Sequence, residues 1–144
     1  MQMALQEAHN ALQEDEVPIG CVIVCENQII GRGHNMTEHL KDATSHAEMQ
    51  AITAACATVG RKYLQNCTLY VTVEPCVMCA GAIAWTQIKR LVYCTPDIKK
   101  GYTQLTNASF LPKCEVMKGV LEDECRELMQ SFFEKKMKKY ETIC

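Results

Sequence analysis

Cys67-Thr68-Leu69-Tyr70-Val71-Thr72-Val73-Glu74-Pro75-Cys76-Val77-Met78-Cys79-Ala80-Gly81-Ala82 changes periodicity within sixteen residues. In its first half Leu69, Val71 and Val73 alternate with Thr68, Tyr70 and Thr72, the period-two pattern of a strand. Pro75 then suits the first turn of a helix, since its fixed φ is right for that position and its missing N–H loses nothing there. Ala80, Ala82, Ile83, Ala84 and Trp85 continue that helix with small residues that allow close packing on a sheet. A strand feeding directly into a helix is a building block of layered α/β proteins.

Working outward, Ala4, Leu5, Ala8, Ala11 and Leu12 share one helical face, and Glu14-Asp15-Glu16 followed by Val17-Pro18 closes that first helix. The pattern is already running at Met1, so the natural helix is expected to start earlier than the chain shown. Residues 19–24 and 28–32, joined by a turn at Glu26-Asn27, predict a β-hairpin. A polar loop follows over 33–44, then a second helix from near His46 to a stop at Val59-Gly60. Residues 91–94 predict a fourth strand and 114–117 a fifth. Leu121, Cys125, Leu128, Met129, Phe132 and Phe133 trace the apolar face of a final helix, with the Met and Phe positions read as core. The order predicts an α/β fold in which a hairpin opens a mixed sheet and residues at helix starts gather along one sheet edge.

At 144 residues the chain is expected to form one domain over 1–144. No apolar run approaches the ~20 residues needed to cross a bilayer and no basic-then-apolar leader opens the chain, which predicts a cytoplasmic protein without a membrane partner. The ten cysteines are placed irregularly in apolar segments, as small buried hydrophobes in a reducing compartment would be, and none is expected to be bridged. Net charge is only −2, which argues against a general nucleic-acid binder. Its distribution says more: residues 1–88 carry four Lys/Arg against nine Asp/Glu, and residues 89–144 carry eleven against eight. The densest basic stretch, Lys135-Lys136-Met137-Lys138-Lys139, reads equally as the compensation of a helix C-terminus or as phosphate binding.

Two motifs thirty residues apart carry chemistry: His46-Ala47-Glu48 and Pro75-Cys76-Val77-Met78-Cys79. A catalytic zinc takes three protein ligands and leaves a fourth position for solvent, and His46, Cys76 and Cys79 make three. A water in the fourth position has its pKa pulled toward neutrality, and Glu48 is near enough to carry its protons. The combination H-x-E with P-C-x-x-C is a known signature of zinc nucleobase deaminases. A redox dithiol or half of a structural four-cysteine zinc site are the competing accounts of the cysteine pair. The first has no use for His-x-Glu, and the second needs another paired motif, which the chain lacks. His9, His34 and His39 read as surface or loop residues.

The run from Leu69 to Ala82, with Glu16-Val17-Pro18-Ile19-Gly20 and Ser45-His46-Ala47-Glu48, closely resembles the bacterial tRNA-specific adenosine deaminases, which convert the wobble adenosine of an anticodon to inosine. The zinc motifs alone specify only the wider cytidine deaminase superfamily, and the longer strings narrow it. The resemblance extends from the first helix to Phe132-Phe133. It implies a three-layer α/β/α cytidine deaminase-like fold with a five-stranded mixed sheet, one Zn2+ per subunit, and a homodimer whose pocket borrows residues from the second subunit. It implies hydrolytic deamination by zinc-activated water, acting on the anticodon stem-loop of a tRNA whose extruded base enters the pocket.

Carried residue by residue, the resemblance makes His46, Cys76 and Cys79 the metal ligands and Glu48 the proton shuttle. It makes Asn35 a hydrogen-bonding partner of the base, where the local reading is a turn residue. Asp97 becomes a residue approaching the RNA sugar, where the local reading is again a turn, and Val17 a wall of the base pocket, where the alternative is core burial. The chain departs from the family at Cys94-Thr95-Pro96-Asp97, where Gly and a basic residue often precede the aspartate. It departs also in carrying tail lysines where arginines are common, and lysine gives a point contact in place of a bidentate one. A zinc deaminase of a free base or nucleoside such as guanine is one alternative activity. A non-catalytic RNA-binding subunit is the other, against which Glu48 argues.

Overall fold

Five strands form one sheet in the order β2-β1-β3-β4-β5. The computed structural model describes residues 1–107, 111 and 113–143, and Cys144 lies outside them. The elements in chain order are α1 (Gln2–Gln13), β1 (Gly20–Cys25), β2 (Gln28–His34), α2 (Ala47–Val59), β3 (Cys67–Val73), α3 (Val77–Trp85), β4 (Arg90–Thr95), α4 (Tyr102–Leu105), β5 (Glu115–Lys118) and α5 (Glu122–Ile143). The hairpin strand β1 runs antiparallel to β2 and to β3, whereas β3, β4 and β5 are parallel, so the sheet is mixed. This is the expected α/β fold with its five-stranded mixed sheet.

Side chains alternate across the sheet, and the register sorts them into two faces. Cys21 pairs with Val71, Ile23 with Leu69, Leu69 with Leu91 and Val71 with Tyr93, and these residues are buried in one core with Ala47, Ala51 and Ala55 of α2 and with Ala80 and Ile83 of α3. Gly31 and Gly33 of β2 let α2 sit almost on the strand backbone. A Cβ on Gly33 would lie 2.4 Å from the Ala47 carbonyl oxygen, and one on Gly31 would lie 2.4 Å from that of Ala51. On the opposite face, Gly20 gives the same close approach to Ala4 and Ala8 of α1. Cys94, pointing away from Tyr93, hydrogen-bonds Cys125 of α5. The helices therefore cover both faces of the sheet.

Several local differences from the sequence-based expectation have physical causes. Pro75 lies outside α3, because Cys76 is the N-cap, with extended backbone at φ −72°, and the Pro75 carbonyl accepts the N–H of Tyr102 at 2.9 Å. β2 runs on through Gly33 and His34, which pair with Cys21 and Gly20. His34 is not a surface or loop residue: its ring bridges Glu7 (3.2 Å) and Glu14 (3.1 Å). The four-residue α4 has too few residues to show a helical period. α5 runs on to Ile143 through Glu, Lys and Met, all good helix formers. Phe132 is buried, but Phe133 is 45% exposed, so the second phenylalanine is not core.

Candidate functional site

Both chemistry-bearing motifs lie where a helix begins on the α2/α3 side of the sheet. His46 is the N-cap of α2 and Cys76 the N-cap of α3, each with extended backbone and neither using its side chain as a cap. Their side chains are thereby left to point at one another. His46 Nδ1 lies 3.6 Å from Cys76 Sγ and 3.5 Å from Cys79 Sγ, the latter one turn into α3. The donor atoms of these three residues all fall within 4.8 Å of one another, and among the described residues they are the group able to hold a metal ion. Glu48, in the first turn of α2, is 4% exposed and shares a hydrogen bond with Cys79.

The electrostatics are those of a site arranged for thiolate. Cys76 is held down to about 4, chiefly by the hydrogen bond from Cys79 and next by that from His46. Donating that bond, together with burial and the nearby Glu48, pushes the Cys79 thiol up. The bond to Cys76 raises His46, and burial raises the Glu48 carboxyl. Free N–H groups at two helix starts add positive potential at the same place. The Cys76 sulfur, held as thiolate, the Cys79 sulfur and the His46 ring converge, and a metal ion held by all three would require the Cys79 thiol to give up its proton.

The other expected contacts lie in two loops. Asn35, buried at the end of β2, donates its N–H to the Ile19 carbonyl at 3.1 Å, and its amide nitrogen donates to Glu16 Oε2 at 3.1 Å and to Thr37 Oγ1 at 3.4 Å. Val17 is half-buried and so is not a core residue; its carbonyl accepts the Ile19 N–H. Asp97 closes a turn, its Oδ1 accepting the N–H groups of Lys99 and Lys100, both at 3.0 Å. That is the local turn reading of its side chain.

Two residues escape sequence reasoning. Glu16 reads only as one of three acids closing α1, yet it is 1% exposed and gathers a loop around itself. Its Oε1 accepts the His39 N–H at 2.7 Å, and its Oε2 accepts the Glu38 N–H at 3.3 Å as well as the Asn35 amide. Glu74 is 4% exposed and plays a similar part for the segment after β4. For Glu74 the available signal is a lone acid set among apolar residues directly before a proline, in Val73-Glu74-Pro75; Glu16 follows Glu14 and Asp15 and offers none.

With this geometry in view, the chain can be set beside the known proteins it resembles. The family model of the MafB19-like deaminases matches residues 1–137. The chain is 46% identical over 138 residues to the tRNA-specific adenosine deaminase of Streptococcus pyogenes serotype M18, covering 92% of this chain and 87% of that one. It is 42% identical over 141 residues to the tRNA-specific adenosine deaminase of Agrobacterium fabrum, covering 94% and 93%. A structure solved in a study of A-to-I editing by tRNA:A34 deaminases at the wobble position of transfer RNA superposes with a TM-score of 0.83 at 40% identity, covering 89% of this chain and 96% of that one.

Proposed function

The chain belongs to the tRNA-specific adenosine deaminases of the cytidine deaminase superfamily, and on that premise we propose that it hydrolyses the 6-amino group of the wobble adenosine in a tRNA anticodon, giving inosine and ammonia. The observation that carries this reading is the convergence of His46, Cys76 and Cys79 beside the buried carboxyl of Glu48.

Zinc is the metal that best fits the donor set. Zn–S and Zn–N bonds in a tetrahedron place their sulfur and nitrogen atoms about 3.6 Å apart. The Nδ1···Sγ separations of 3.6 and 3.5 Å match that edge. Zinc in such a site supplies Lewis-acid activation of water near neutral pH. His46, Cys76 and Cys79 are the ligands in this reading, and Glu48 moves the protons. It takes one from the attacking water and places it on the ring nitrogen beside the reacting carbon, then takes the proton of the hydroxyl added to that carbon and gives it to the departing amine, so that the C–N bond breaks, the C=O forms and ammonia leaves. Asn35, oriented by Glu16, holds the base; Val17 lines its pocket; Asp97 and its turn face the RNA.

The reading extends to one zinc-dependent deaminase domain over 1–144, acting as a cytoplasmic homodimer on the anticodon stem-loop. Trp85, 83% exposed, and the exposed Met78, seven residues before it on α3, offer apolar surface for a second subunit. Among the described residues no helix is long and apolar enough to cross a membrane. The test is to incubate the metal-loaded protein with total tRNA and, separately, with adenosine, cytidine and guanine, and to analyse the products by mass. Inosine in tRNA is the expected outcome. Deamination of guanine alone would establish the free-base alternative, and no product from any substrate would establish the non-catalytic one.

A further inference from the structure

Glu74 belongs neither to the metal group nor to the proton path, yet its carboxylate is buried and, among the described residues, the hydrogen bonds it accepts come from one segment. Its Oε1 accepts the N–H of Asp97 at 3.4 Å, and its Oε2 accepts the N–H and the hydroxyl of Thr103 at 3.1 and 2.9 Å. Between those two residues the chain passes against the start of α3, where Gly101 forms a β-bridge with Cys76 and Tyr102 bonds back to Pro75. Gly101 has no room for a side chain: a Cβ there would lie 2.0 Å from Glu74 Oε2. The turn closed by Asp97 presents Ile98, Lys99 and Lys100 to solvent. A carboxylate withdrawn from water costs several kcal/mol unless hydrogen bonds replace its hydration, so the bonds to Asp97 and Thr103 cannot be released singly without penalty.

We propose that Glu74 is a positioning residue for the deamination: it fixes the Asp97–Thr103 segment beside Cys76, so that RNA meets a preformed wall. The inference rests on the RNA-editing reading above. The reacting groups are carried by α2 and α3, and the segment meets Pro75 and Cys76 through backbone at Tyr102 and Gly101, not through the side chains of Glu74 or Thr103. A segment released from Glu74 samples other conformers, and apparent affinity falls by the fraction of time spent outside the competent one. The loss is therefore one of binding and not of chemistry.

The test is steady-state deamination of an anticodon stem-loop RNA carrying a wobble adenosine, by metal-loaded Glu74→Gln, Thr103→Val and Thr103→Ser. KM is expected to rise about tenfold for Glu74→Gln, the scale of one lost hydrogen bond to a charged group, and about threefold for Thr103→Val. kcat should stay within about twofold of wild type. Metal content is unchanged, and Thr103→Ser, which keeps the hydroxyl, returns the wild-type KM. A fall in kcat at constant KM, loss of metal, or Ser behaving as Val at position 103 overturns the proposal. If Glu74→Gln fails to fold, the two Thr103 variants decide it. A wild type that edits the RNA while these variants keep its KM refutes the positioning role alone; a wild type inactive on RNA refutes the functional reading first.

Discussion

Gly33→Ala is the substitution that most directly tests how the site is seated. The new Cβ would meet the Ala47 carbonyl oxygen at 2.4 Å, the Ala51 nitrogen at 2.7 Å and the Gln50 Cβ at 2.7 Å. Two of these are helix backbone atoms, so no change of rotamer relieves them. To regain an ordinary contact of about 3.4 Å, α2 must retreat from β2 by roughly 1 Å, and overpacking of this kind costs about 1–3 kcal/mol. Each kcal/mol lowers the melting temperature of a chain of this size by roughly 2–4 °C, so a fall of about 2–12 °C is expected in thermal unfolding followed by circular dichroism. His46 and Glu48 ride on the displaced end of α2, and a misplacement of about 1 Å costs on the order of a hundredfold in turnover. Gly81→Ala in α3 is the control, because nothing lies within 4 Å of its added Cβ. There the helix should gain about 0.5–1 kcal/mol. A Gly33→Ala protein that melts at or above the wild-type temperature would refute the close seating of α2. One that melts lower yet keeps full turnover would refute the link between that seating and the chemistry.

Glu48→Ala should retain its metal and lose turnover by two or more powers of ten, the scale of a lost proton carrier, as read by metal analysis beside a deamination assay; a metal-free variant would contradict the assigned role. Cys76→Ser and Cys79→Ser should each lower metal content and melting temperature together, and a fully loaded serine variant would count against that ligand. Replacing Lys135, Lys136, Lys138 and Lys139 by alanine should weaken RNA binding and flatten its salt dependence by up to about 3 in the log–log slope, at roughly 0.7 per contact to a single strand. An unchanged slope would return those lysines to a role in the helix alone.

The strand β3 is legible in the sequence because its alternation is strict and each residue finds the face that alternation assigns. The grouping of His46, Cys76 and Cys79 is legible because C-x-x-C at a helix start can turn both sulfurs the same way, and His-x-Glu at another helix start supplies what a dithiol does not need. The start of α3 is misjudged from sequence by its proline: Pro75 is compatible with a first turn, and only the bond from Tyr102 shows that its carbonyl is engaged elsewhere. Glu16 is misread for a related reason. In Glu14-Asp15-Glu16 the three acids look alike, and what separates the third is a set of backbone N–H groups more than twenty residues away. Local pattern reports periodicity and helix ends; it does not report which loop comes back to be gathered by a buried carboxylate.

The placement of His46 and Cys76 at helix N-caps carries a trade-off between stability and activity. Ser, Thr, Asp or Asn at such a position contributes about 1 kcal/mol by bonding a free N–H, and neither α2 nor α3 receives that bond. Both helices thus forgo roughly 2 kcal/mol in total, a sizeable part of a folding stability that is commonly about 5–15 kcal/mol. An ion that binds only the folded chain restores that stability by mass action. Selection for thermal stability alone, without regard to turnover, would therefore be drawn to these two positions early and would put aspartate or serine where the ligands stand.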